Sequence, residues 1–90
     1  MKNIPEELTA YKKTPIFTEQ SVPAGLLNNH QTKQGVWGKI VVLEGELLYI
    51  ISNPEERHVL GVENFGVVEP TVIHQVKPLG EVSFYVEFYR

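Results

Sequence analysis

Apolar and polar positions alternate along most of the chain beyond Gly35, and turn-forming residues separate the alternating runs. Gly35 to Leu43 reads as one strand and Glu46 to Ser52 as the next, joined across Glu44-Gly45, an acid-glycine pair of the tight-hairpin type. Asn53-Pro54-Glu55-Glu56 is a turn, His58 to Val62 a short strand, Glu63-Asn64 a turn, and Phe65 to Glu69 a strand that Pro70 breaks. Ile73 to Lys77 alternates, and Pro78-Leu79-Gly80 turns the chain into Val82 to Tyr89. Residues 1–22 read as an extended arm, with Pro5 and Pro15 inside it and Pro23 at its end. Pro5-Glu6-Glu7 suits the start of a short helical turn that Pro15 stops from running on.

Short strands with turns at this spacing predict a sandwich or small barrel, with residues 1–90 forming a single all-β domain. Trp37, Ile40, Val42, Leu47, Val68, Val76 and Phe84 are its expected core. The last strand ends next to Arg90, so its edge is expected to be uncovered and to pair with a second copy as a homodimer.

Composition supports the strand reading: twelve Val, six Ile and nine aromatics stand against two Ala, and such side chains suit a pleated, half-buried surface. The net charge of −3 offers no electrostatic footprint for nucleic acid. All eleven acidic residues are Glu, which excludes EF-hand-type loops and the Asp of a hydrolase triad. The absence of Cys excludes disulfides and thiolate chemistry and fits a reducing compartment. The first residues hold no signal-peptide stretch, and Ile40 to Ile51, interrupted by Glu44 and Glu46, is too short to span a bilayer. A cytoplasmic protein is expected, with no membrane partner.

Candidate chemistry rests on the histidines. His30 lies in a polar loop before the Gly35–Leu43 strand, and His58 follows charged residues at a turn. His74 points inward if Gln75 and Lys77 face water, as either a metal ligand or a core imidazole bonded to a carbonyl or glutamate. Glu87 depends on the register of the last strand. With Phe84, Val86 and Phe88 inside, it faces out with Ser83, Tyr85 and Tyr89; in the opposite register Tyr85, Glu87 and Tyr89 line a polar pocket, and Glu87 completes a His/His/Glu set. Aromatics on both faces leave both registers open. Gly35-Val36-Trp37-Gly38 lacks the spacing of a phosphate-binding loop, and no nucleophile elbow is present.

The string Pro23-Ala24-Gly25-Leu26-Leu27 through His30-Gln31-Thr32-Lys33-Gln34-Gly35-Val36-Trp37 is one of several family-type motifs. Val42-Leu43-Glu44-Gly45, then Val68-Glu69-Pro70 with His74, then Glu87-Phe88-Tyr89 complete the set. Together they resemble a bacterial small-cupin family, that of the N-terminal domain of tellurite-resistance TehB and of YeaR-type proteins. The resemblance runs from about Pro15 to Tyr89. It implies a double-stranded β-helix (cupin, jelly-roll-like) barrel with a pocket between its sheets. His30 matches the family's first histidine and His74 the histidine of its second motif, while Thr32, Lys33, Gly35 and Trp37 match the loop and strand after the first. Two positions depart from metal cupins in general: Thr32 replaces the second histidine, and the glutamate position falls near Gly38.

Three functions follow as expectations. The first is a divalent metal (zinc, nickel or iron) on His30 and His74, completed by Glu87. The second is a metal-free pocket for an anion or small molecule, built on Thr32, Lys33, Trp37 and Tyr85 with Lys39. The third, suggested by the exposed last strand, is an interaction domain that pairs with itself or with a separate methyltransferase; in the two-domain relatives methyl transfer is attributed to a C-terminal S-adenosylmethionine domain, for which 90 residues leave no room. Neither an enzymatic activity nor a catalytic residue is assigned.

Overall fold

A computed structural model of the chain, describing residues 1–52 and 54–90, contains six strands. They are β1 (Ala10–Lys13), β2 (Phe17–Thr18), β3 (Trp37–Ile51), β4 (Glu56–Leu60), β5 (Gly66–Val68) and β6 (His74–Tyr89), with one 3-10 turn at Ala24–Leu27. All pairings are antiparallel, and they form one sheet in the order β1-β6-β3-β4, with β2 also on β6 and β5 also on β3. No helix among the described residues is long and apolar enough to cross a membrane.

Two long strands organise everything else. The expected hairpin at Glu44-Gly45 is instead a bend within β3, which runs unbroken for 15 residues. The expected turn at Pro78-Leu79-Gly80 likewise lies within the 16-residue β6. The two bends lie opposite each other, Gly45 against Val82 and Leu47 against Pro78, with irregular register between Val42 and Glu44 and between Gly45 and Leu47. Extra residues at a bulge kink both strands together while leaving their pairing intact, which is why turn chemistry appears in the sequence without a chain reversal. Of the turn expected at residues 53–56, Asn53 lies outside the described residues and Glu56 already begins β4.

The bends fold the sheet over onto itself. Tyr49, whose strand partner is His58, donates its hydroxyl to the carbonyl of Val67, which pairs with Lys39 ten positions back along β3. Gly66 makes this approach feasible, since a β-carbon there would stand 2.7 Å from Leu60 Cδ1 and 3.3 Å from Tyr49 Cδ2. The strand pairings do not close into a ring: the path ends at β1 on one side and at β4 on the other, so the sheet is not a closed barrel.

Burial alternates with period two through Trp37–Val42 and Val82–Val86, so each strand sends one face inward. Ile40, Val42, Leu47, Val68, Val76 and Phe84 are all buried, as the pattern predicts. Trp37 is not: it is half-buried on the opposite face from its buried neighbour Gly38, where a β-carbon would already touch Val68 and Val86. The β6 register with Phe84 and Val86 inside is the one adopted, so Tyr85, Glu87 and Tyr89 lie on the outer face.

The arm accounts for the edge expected to be open. Ala10 pairs with Tyr89, Lys13 with Glu87, and Phe17 with Phe84, so β6 is an interior strand covered by the chain's own first residues. Thr9 and Arg90 exchange backbone hydrogen bonds at 3.1 and 3.2 Å. Pro5 opens the short turn its position suggested, accepting from the Leu8 amide at 3.2 Å.

Candidate functional site

The loop between the 3-10 turn and β3 returns His30 to the start of β6. His30 and His74 exchange both backbone hydrogen bonds at 2.8 Å, and the Thr71 amide donates to the Thr32 carbonyl at 3.1 Å. This backbone clasp places the two imidazoles edge to face with ring centroids 5.4 Å apart. Residues 44 positions apart in sequence thereby meet in one wall. His74 is only 4% exposed and also meets Tyr49 edge-on at 5.8 Å.

The His74 Nδ1 lies 3.1 Å from the Val72 carbonyl, which can only accept, so Nδ1 carries the hydrogen. Nε2 has no protein hydrogen-bond partner among the described residues and keeps its lone pair. Burial is the main reason that this imidazole titrates below its ordinary value; the hydrogen bond to Val72 opposes that effect, and the charge of His30 reinforces it. Tyr49 stays a phenol, because burial first and the charges of Glu69 and Glu56 next push its ionisation far up.

The lowered His74 value carries a pH dependence. The unfolded chain takes up the proton first, near the ordinary imidazole pKa of about 6.5, so stability is expected to hold level above that pH and to fall as pH drops below it. Glu19, bonded by the Val82 amide, and Glu56, bonded by His58, are both held below the ordinary carboxylate range and add their loss only at lower pH. Thermal melts between about pH 7.5 and 5 check this. His74→Leu should flatten the slope, and identical slopes in both proteins would show that the folded state does not hold this ring neutral.

Beside the two histidines lies an apolar cavity of about 40 Å³, walled by Leu26, Val68, Val76, Phe84 and Val86 among others. Outside it, a surface cleft of about 250 Å³ is lined by Tyr11, Lys12, Gln31 and Lys33. His30, Thr32 and Phe88 line both spaces and so form the partition between them. Thr32 has its hydroxyl proton committed to the Val36 carbonyl at 2.8 Å.

Of the residues singled out in the sequence, His30, His74, Thr32 and Lys33 come together here. Glu87, Trp37 and Tyr85 do not. Glu87 lies on the outer face and accepts the Tyr89 hydroxyl at 2.8 Å; Tyr85 lies there under Lys13, whose Nζ is 5.2 Å from the ring centroid. Lys39, on the same face, has its Nζ 4.5 Å from the ring centroid of Phe65. His58 is occupied elsewhere, donating to Glu56 at 3.0 Å. Among the described residues, no three of His, Cys, Asp and Glu stand close enough to share a metal ion. Thr14 and Leu26 also line the cavity; Thr14 carries no motif that would single it out in the sequence, and Leu26 lies in the Pro23–Leu27 motif without marking itself as a wall residue. Phe88 was legible as a wall residue once β6 alternation was set by Phe84.

Two relatives and two solved structures bear on this arrangement. The chain is 35% identical over 86 residues to the probable S-adenosyl-L-methionine-dependent methyltransferase TehB of Haemophilus influenzae, covering 90% of this chain and 29% of the relative. It therefore spans under a third of that relative's length. A crystal structure of TehB from Haemophilus influenzae matches with a TM-score of 0.85 at 31% identity, over 93% of this chain and 32% of that one. The uncharacterized protein YeaR of Escherichia coli (strain K12) is 22% identical over 99 residues, covering 99% of this chain and 83% of the relative. A crystal structure of a protein from Escherichia coli (strain K12) shares the fold with a TM-score of 0.90 at 23% identity, over 100% of this chain and 97% of that one. The TehB-like domain pattern matches residues 12–86, and on that extent the chain belongs to the TehB-like domain family.

Proposed function

We propose that the chain is a cupin-type binding module that takes a small ligand into the cavity beside His74. The observation that carries this reading is a buried imidazole, its Nε2 without a protein partner among the described residues, in the wall of a mostly apolar cavity of about 40 Å³ that Thr14, His30 and Thr32 also line. Such a space, mostly apolar with a few fixed polar groups, is how small-ligand sites are commonly built. The same volume argues for locating methyl transfer, as named for the Haemophilus influenzae TehB, outside this domain, because a nucleoside cofactor needs several times that room. The module then serves a methyltransferase by binding, in the same chain or as a partner.

Nitrogen-detected NMR of the His74 imidazole during a screen of small metabolites tests the reading. A bound ligand should shift Nε2 and leave Nδ1 nearly unmoved, and His74→Leu should abolish binding. A screen in which no ligand moves the His74 or Phe84 resonances would overturn it.

One observation favours a second reading, a divalent metal on His30 and His74 with water completing the shell. An imidazole whose Nδ1–H is fixed on a backbone carbonyl, as in His74, is oriented as metal-ligating histidines are. Elemental analysis of protein purified without immobilised nickel separates the two. On the metal reading, stoichiometric zinc, nickel or iron is lost in His30→Ala and in His74→Ala and kept in His58→Ala; metal-free protein that still binds a ligand excludes it.

A further inference from the structure

We propose, building on the binding-module reading, that the ligand class is a short-chain carboxylate, with its charged head in the outer cleft and its alkyl tail in the inner cavity. The two spaces adjoin through the shared partition of His30, Thr32 and Phe88 and differ sharply in chemistry. The outer one carries Lys12 and Lys33, and the guanidinium of Arg90 stands 4.0 Å from the ring centroid of Tyr11 in its wall. Among the described residues no carboxylate lines it, although the chain as a whole has a net charge of −3. With its proton held by Val36, Thr32 is no donor to an anion, so the cations do the recognising.

The inner space sets the length of the tail. A volume of about 40 Å³ holds roughly three or four water-sized groups, hence about three or four carbons beyond the carboxylate. Inorganic oxyanions leave the cavity unfilled. A long fatty acid overruns it. The Phe88 and His30 side chains, each only partly buried, are the members of the partition with room to move as the tail enters.

The test is an NMR titration of the unmodified chain with acetate, propionate, butyrate, valerate and octanoate, with 1-butanol and inorganic phosphate as controls. Affinity should rise about fourfold per methylene to butyrate or valerate and then stop rising. Lys12→Gln/Lys33→Gln, both at exposed positions, should weaken butyrate roughly fivefold and leave 1-butanol unchanged. Leu26→Phe should move the optimum to a shorter acid. If 1-butanol binds as well as butyrate, the cavity reading stands and the carboxylate class is wrong. If phosphate and acetate match butyrate, the site is a surface anion patch and the class is again wrong. If neither acids nor alcohols perturb Phe84 and His74, the binding-module reading falls as well.

Discussion

Gly45→Ala is expected to leave the chain unfolded at 25 °C. The Gly45 φ is +80°, and a β-carbon there would stand 2.0 Å from the Glu81 carbonyl oxygen and 3.0 Å from both Glu81 C and Val82 Cα. All three are backbone atoms of the strand partner, so no rotamer change relieves the contact. β3 and β6 would have to separate at the bend that folds the sheet over. A disruption of this kind belongs with the rare substitutions costing more than about 4–5 kcal/mol, against a total of about 5–15 kcal/mol for a typical domain. Gly35→Ala is the control. Its φ of +81° is equally unfavourable, but nothing lies within 4 Å, so only the conformational cost of roughly 1–2 kcal/mol remains. Far-ultraviolet circular dichroism and urea melts of the two proteins separate space from strain. A Gly45→Ala protein melting within a few degrees of the parent would mean that the bend is free to move.

Phe84→Ala should have the second-largest effect. The ring is fully buried, meets Phe17 edge to face at 5.7 Å, and forms part of the cavity wall. Truncation typically costs about 3–5 kcal/mol. Here the space vacated merges with a cavity already present, which favours the upper part of that range. The melting temperature should fall by more than about 12 °C for a domain of this size. Trp37, though larger, should cost clearly less on truncation, because half-burial on the outer face leaves it less contact to lose. Equal losses at the two positions would show that the outer face is covered in solution, as a second copy of the chain would cover it.

The strand residues were legible because alternation survives in the segments where one face is buried, at Ile40 and Val42 and again at Val82, Phe84 and Val86. The continuity of β3 and β6 was not, because Glu44-Gly45 and Pro78-Leu79-Gly80 use the same residue types for a bend as for a reversal, and only the partner strand distinguishes them. Trp37 misleads for a related reason: its size suggests the interior, while the absence of a side chain at Gly38 is what lets Val68 and Val86 pack there. At the site, His74 could be placed inward from Gln75 and Lys77, and the motifs linked it to His30. Glu87 could not be placed, since aromatic residues on both faces of β6 hide its register until Phe84 is seen in the core.

The position of β6 bears on when this fold can form. It is the last of the six strands in chain order, yet β1 and β2 pair with it alone and β3 makes its longest pairing with it. On a ribosome, residues 10–18 must therefore wait, extended and without a strand partner, until residues 83–89 have emerged. Closing so long a loop before it gains any contact predicts slow, late and abrupt completion rather than stepwise growth. Until then the apolar strand Ile40–Ile51 lacks its main cover, so the interval before β6 emerges is when a chaperone would matter most to this chain.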